Sequence, residues 1–247
     1  MAGAKYSRPY KKNMIRIFCD FDGTVCLQDV GEQFFREFTG EKADASVRHL
    51  LNGEITMQMW LMELCEAIPS INQNEFINFV DQFVVDPHFA GFVGFCKERN
   101  IPLAVLSDGL DAYVERVLSN AGLSYVPFFA NHAGFVEERL KISFPYTDAE
   151  CSLCGNCKRN HMLNTSADED VIVYIGDGYS DRCPVRYADF VFAKRQLIKH
   201  CQQQNITYLE FNHFGDVQLK LEEILQRKRI RHRQEAALAR REVFVQG

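Results

Sequence analysis

The chain alternates short, nearly continuous apolar runs with longer stretches in which apolar residues recur at helical spacing. Residues 14–19, 102–106, 126–130 and 171–175 are apolar runs of strand length without polar alternation, the pattern of strands covered on both faces. Residues 190–193 and 207–209 are shorter candidates, and 134–144 alternates enough for a hairpin. Residues 112–121, 74–83 and 88–99 read as helices. The long stretch 28–67 does too, with Phe34, Phe35 and Phe38 at helical spacing and a break at Gly53. Strands alternating with helices imply a parallel sheet with right-handed crossovers. The helical block between the first two strands far exceeds the dozen or so residues a crossover needs. The expected fold class is therefore α/β, a doubly wound parallel sheet with a small helical cap inserted at 28–85. The core comprises 1–27 and 86–215, followed by a helical arm at 216–247.

Composition narrows this picture. The chain has 247 residues, enough for one large domain or a core with an inserted module. Hydrophobic residues at 47% and charged residues at 25% match globular proteins and exclude a disordered chain. A formal net charge of -5 argues against a nucleic acid held by charge alone. No apolar run approaches the roughly 18 residues of a membrane span. Residues 1–13 are polar and basic without an apolar signal region, so the cytoplasm is the simplest expectation. Nine cysteines, an odd count, argue against a disulfide framework. Cys19, Cys26, Cys65, Cys96, Cys183 and Cys201 are scattered among apolar neighbours and read as small hydrophobes.

Ligands of doubly wound sheets bind beyond the carboxyl ends of the strands, so residues just after strands carry the chemistry. Asp20-Phe21-Asp22-Gly23-Thr24 follows the first strand. Of its two carboxylates, one could attack an electrophile and hold a hard cation while the other moves a proton; an acidic turn is the plainer alternative. Ser107-Asp108-Gly109 follows the second strand. A hydroxyl and a glycine-exposed amide near a helix start suit an anionic oxygen, or equally a helix cap. Gly176-Asp177-Gly178-Tyr179-Ser180-Asp181 follows the fourth, where carboxylates suit Mg²⁺ or cap a turn. Lys158 opens a helical stretch and would be solvated if it stood alone.

Taken together, the order DxDGT, Ser, Lys, GDxxxD resembles the haloacid-dehalogenase-like (HAD) hydrolases across residues 14 to about 212. The resemblance implies a Rossmann-like core and a phosphate-transfer site. Asp20 would be the nucleophile and Asp22 the general acid/base. Ser107, Asp108, Gly109 and Lys158 would bind phosphate. Asp20, Asp22 (through its backbone carbonyl), Asp177 and Asp181 would hold Mg²⁺. A helical cap between the first two motifs is similar to phosphoserine phosphatases. Gly109-Leu110-Asp111, Asn131-His132-Ala133-Gly134-Phe135, the cysteine-rich approach to Lys158 and Tyr174-Ile175-Gly176-Asp177 look more like the methionine-salvage phosphatases of 2-hydroxy-3-keto-5-methylthiopentenyl 1-phosphate. The implied partner is a small phosphorylated metabolite, with phosphoserine or a phosphosugar as the enzymatic alternative and a non-catalytic phosphate binder as the other.

Four further features bear on specificity and assembly. Met57, Met59, Trp60 and Met62 crowd one cap stretch, where Met57 and Met62 would suit an apolar substrate tail or simply form the cap core. Asp29 would sit near the cap entry, where it could touch a polar substrate group. Cys151, Cys154, Cys157 and His161 could form a tetrahedral zinc set, but their spacing is unlike a standard finger and the cluster abuts Lys158. The expectation is a loop of partly buried thiols that positions the lysine, without zinc. The arm from Asp216 is basic from Arg227 through Arg241 and reads as a solvated face, or as a surface against a partner subunit in a homodimer.

Overall fold

The computed structural model describes residues 14–148 and 153–246. Seven strands form one sheet in the order β4-β3-β2-β1-β5-β6-β7. The central strand, β1 (Ile15–Asp20), is parallel to β2 (Leu103–Leu110) on one side and to β5 (Val171–Gly176) on the other. The winding reverses at β1, so its carboxyl end opens on the crevice of the sheet. The uniformly apolar face pattern has a direct cause: every residue of β5 is buried, and Ile17, Phe18 and Cys19 of β1 are too.

The edges complete the sheet. β6 (Phe190–Ala193) and the two-residue β7 (Leu209–Glu210) continue it in parallel beyond β5. Beyond β2 lie β3 (Phe128–Val136) and β4 (Arg139–Ser143), which form the expected hairpin. Its turn residues Glu137 and Glu138 both have positive φ, as a tight two-residue hairpin loop requires.

Four helices lie between β1 and the return to the core: α1 (Val30–Thr39), α2 (Glu41–Leu51), α3 (Met57–Ala67) and α4 (Gln73–Val80). Their own core is aromatic. Phe34 packs edge-on against Phe76 and Phe79 at ring separations of 5.3 and 5.7 Å. The chain leaves at Cys26 and returns at Val85, and these two residues pair in an antiparallel bridge. The insert also touches the core elsewhere. The Met57 amide donates to the Leu153 carbonyl (2.9 Å), and the Ile71 amide to the Glu138 carbonyl of the hairpin (2.8 Å).

The remaining helices cover the sheet: α5 (Phe89–Glu98), α6 (Asp111–Asn120), α7 (Lys158–Thr165), α8 (Arg195–Gln203), α9 (Phe214–Leu225) and α10 (Gln234–Gln246). The stretch read as one basic helix is two. α9 buries Phe214, Val217, Leu221 and Ile224, with Phe214 stacked edge-on against Phe89 of α5. α10 folds back onto the molecule. Arg240, 7% exposed, bridges both oxygens of Asp189 and donates to the Tyr187 carbonyl (2.7 Å). Arg233 donates to the carbonyls of Val185 and Arg186. These two arginines therefore bind the chain's own core instead of presenting a solvated face, whereas Arg227, Lys228, Arg229, Arg231 and Arg241 are exposed.

Candidate active site

The site gathers where β1, β2 and β5 end. Asp20 is the last residue of β1 and is 4% exposed. The next five residues form a distorted turn in which Gly23 takes φ 73°. That conformation favours glycine, and a Cβ there would meet Asp177 Oδ2 at 2.5 Å and Arg195 Nη1 at 2.6 Å. The turn carries Asp22 back against the start of α1.

Lys158 is the hub of the phosphate side. It is the first residue of α7, 2% exposed, and its ammonium donates to Asp20 Oδ1, to Ser180 Oγ (2.8 Å) and to Asp181 Oδ1 (2.9 Å). Burial alone would lower its proton affinity; the carboxylates of Asp181, Asp20 and Asp108 outweigh burial and hold it well above the usual lysine range. Asp181 is anchored further. Its Oδ2 accepts from the amides of Asp177 and Gly178 at 2.8 and 2.9 Å, and its Oδ1 from the Tyr174 hydroxyl at 2.6 Å. Asp177 accepts from Thr24 Oγ1 (3.3 Å) and from Arg195 Nη1 (3.0 Å).

Asp22 faces the other way. Its Oδ1 accepts from the amides of Val30 (2.8 Å) and Gly31 (3.3 Å) at the start of α1, and its Oδ2 from Ser107 Oγ (3.2 Å) and the Tyr113 hydroxyl (3.1 Å). Burial raises its pKa against the pull of these four donors. Asp29 caps α1 through the Glu32 amide, and burial together with the Asp22 charge pushes it up to about 7. Asp108 is pushed up to about 6, again by burial.

The segment expected as a turn after β2 differs in detail. Ser107, Asp108 and Gly109 lie within the strand, where the register against β3 shifts between Leu106 and Leu110. Asn156, fully buried, fixes this irregular stretch. Its amide donates to Asp108 Oδ1 (3.1 Å), and its side chain donates to the carbonyls of Ser107 (2.8 Å) and Phe129 (2.9 Å). His161 Nε2 closes the set on Asn156 Oδ1 (2.6 Å), its ring stacked on Phe129 at 4.2 Å. The cysteine-rich loop thus holds Lys158 and the Ser107–Gly109 stretch in one frame through an asparagine. Cys157 stands at the N-terminal boundary of α7, Cys154 receives Gln58 Nε2 at its carbonyl (3.1 Å), and Cys151 lies outside the described residues.

Among the described residues, the cluster of three or more His, Cys, Asp and Glu side chains placed to hold a metal is Asp20, Asp177 and Asp181, whose oxygens lie within 4.8 Å of one another. Hard oxygen donors with surplus negative charge fit Mg²⁺. Burial and the neighbouring carboxylates raise the proton affinity of both Asp20 and Asp177.

A cavity of about 490 Å³ opens above these groups. Its floor includes Asp20, Asp22, Asp108, Gly109 and Asp177, and Asp29 stands on its wall. Its roof is mostly apolar, with Phe35, Val47, Leu50, Met57, Trp60 and Leu61 beside Glu32 and Arg36. Met57 lines this cavity. Met62 is not brought there; it is 45% exposed and outside the lining. Arg195, Tyr113 and Asn156 belong to the site but were missed. Arg195 alone carried a signal, since it follows a strand as the motif residues do.

A reversal-point carboxylate cluster in an α/β sheet, roofed by an inserted helical cap, defines the architecture of HAD-type phosphatases. The fold is that of a phosphoserine phosphatase solved as its phospho-aspartyl intermediate analogue (TM-score 0.65, 17% identity, 85% of this chain and 99% of that one). The phosphoserine phosphatase from T. onnurineus is similar (TM-score 0.62, 17% identity, 83% and 92%). Residues 15–214 match the model of the family described as "Putative Phosphatase", and the chain belongs to that family. Curated relatives include the 2-hydroxy-3-keto-5-methylthiopentenyl-1-phosphate phosphatases of Exiguobacterium sibiricum (33% identical, covering 82% of this chain and 94% of the relative) and Bacillus cereus (30%, 87% and 99%).

Proposed function

We propose that the chain is a Mg²⁺-dependent phosphomonoester hydrolase that works through an aspartyl-phosphate on Asp20. One observation carries the reading: Asp20 and Asp22 lie on one turn but have opposite partners, an ammonium for the first and amide and hydroxyl donors for the second. Lys158 holds Asp20 Oδ1, which leaves Oδ2 as the nucleophile, and its positive charge favours the ionised form against the burial that raises the proton affinity of that carboxylate. Attack on phosphorus and hydrolysis of the acyl phosphate then split one hard displacement into two. Asp22 protonates the departing alcohol and afterwards takes a proton from the attacking water. Ser107 and the amides around Gly109 receive the phosphoryl oxygens, with Lys158 beside them. Asp20, Asp177, Asp181 and the Asp22 carbonyl would hold Mg²⁺, which supplies neutralisation of the phosphoryl charge.

The cap sets the substrate class. The apolar roof suits a small phosphorylated metabolite with a short uncharged tail, consistent with the methionine-salvage 1-phosphate named for the relatives. Phosphoserine fits less well, because the cap arginine lining the cavity, Arg36, is paired with Glu32 at 3.0 Å. The test is phosphate release from p-nitrophenyl phosphate with and without Mg²⁺, followed by a panel of phosphorylated metabolites. Mg²⁺-dependent release that prefers uncharged tails is expected. Phosphate binding without release would return the chain to a binding role.

A further inference from the structure

We propose that Tyr113 is the positioning residue of Asp22, holding the carboxylate in place while Ser107 turns its proton to the substrate; this rests on the phosphatase reading above. Four donors meet Asp22, and they divide by kind. The two on Oδ1 are backbone amides of α1 and cannot be redirected. The two on Oδ2 are hydroxyls, Ser107 at 3.2 Å and Tyr113 at 3.1 Å. A serine hydroxyl has one proton. Ser107 Oγ already accepts the Gly109 amide at 3.0 Å, so its proton goes either to Asp22 or to a phosphoryl oxygen. Once substrate takes it, Oδ2 keeps a single side-chain donor, Tyr113, and gains a vacant lone pair for the proton it must deliver.

The surroundings are shaped for this hydroxyl. Tyr113 is fully buried on the first turns of α6, its ring 6.0 Å from and nearly parallel to that of Phe21, and it lines the cavity. The hydroxyl sits where side chains have been left out on two separate segments. A Cβ at Gly109 would overlap it, and a Cβ at Gly31 would come within 3.1 Å. Phenylalanine would fill the same space apart from the oxygen, so packing alone does not require tyrosine.

The experiment separates leaving groups. p-Nitrophenolate departs as a stable anion and needs little protonation, whereas an alkoxide needs a full proton from Asp22. In single-turnover measurements with Mg²⁺, Tyr113→Phe should slow alcohol release from n-propyl phosphate by about 10- to 100-fold. It should leave the p-nitrophenolate burst within about threefold of wild type. Equal slowing of both, or of neither, overturns the proposal. If Tyr113→Phe does not fold, 3-fluorotyrosine and 3,5-difluorotyrosine at position 113 carry the test, since they keep shape and alter acidity. The n-propyl rate should then vary with phenol acidity while the burst does not, and a flat n-propyl rate overturns the proposal. Failure of the phosphatase reading looks different: the wild-type protein would release neither alcohol.

Discussion

Replacing Lys158 with methionine removes the positive charge around which the site is assembled. Its ammonium and the Asp181 carboxylate lie 2.9 Å apart, with side-chain exposures of 2% and 0%. At an effective dielectric of about 20, that one pair attracts by roughly 6 kcal/mol before desolvation. Desolvation offsets much of this, but truncating one partner of a buried pair still costs about 3–5 kcal/mol because the other charge stays behind. Here two carboxylates stay behind, Asp20 and Asp181. Urea unfolding of metal-free Lys158→Met should therefore show a loss of about 3–5 kcal/mol. The loss should depend on pH. Without the ammonium, the proton affinity of Asp20, already raised by burial, rises further. A carboxyl that binds protons more tightly folded than unfolded favours the fold only while protonated, so the deficit grows as pH rises above the ordinary carboxylate range. Added Mg²⁺ should shrink it by binding the surplus charge. A deficit below about 1 kcal/mol that is independent of pH and Mg²⁺ would refute the reasoning.

Three more outcomes follow from the geometry. Asp22→Asn should keep phosphate and Mg²⁺ affinity within a few-fold in calorimetry but lose about 10²- to 10⁴-fold in turnover; lost Mg²⁺ binding would contradict the division of roles. Met57→Arg should lower kcat/KM for apolar-tailed phosphomonoesters by at least about tenfold, while Met62→Arg stays within about twofold, and the reverse ranking would move the tail site off the roof. Burial lowers His161 to about 4, so the unfolded chain takes up a proton from about pH 6.5 downward while the folded protein does not. His161 should thus subtract stability as pH falls from 6.5 toward 4, against the opposite contributions of Asp29 and Asp108, so the stability of His161→Gln, which keeps a donor for Asn156, should gain on that of wild type over this range in urea titrations; a pH-independent difference would place the sensitive group elsewhere.

What could be read from sequence was what repeats locally. β1, β5 and β6 were legible because a strand buried on both faces is a bare apolar run, and Asp22, Asp177 and Asp181 because they lie just past such runs. The hairpin was legible from its alternation. Partnerships across the chain were not. Arg195 meets Asp177 and the carbonyls of Gly23 and Leu27 from the far side of β6. Asn156 was hidden among cysteines whose metal-like spacing drew attention from the amide that ties the loop down. Met62 lies outside the cavity lining because of helix phase. At 100° per residue, Trp60 and Leu61 fall within about 60° of Met57, whereas Met59 and Met62 turn well away. The basic arm read as one helix because charge runs carry no signal of where they end; Asp189, which captures Arg233 and Arg240, is distant in sequence.

The central claim is that Asp20 carries the phosphoryl group. The direct measurement is to mix the protein with p-nitrophenyl phosphate and Mg²⁺, quench in acid within the first turnover, and reduce with borohydride, which converts an acyl-phosphate carboxyl to an alcohol with loss of the phosphate, so that peptide mass locates the residue as homoserine. The loss of about 14 Da should fall on Asp20 and be absent from Asp20→Asn, which should also lose at least about 10³-fold in turnover. Label on another residue, or near-normal turnover in Asp20→Asn, would contradict the account.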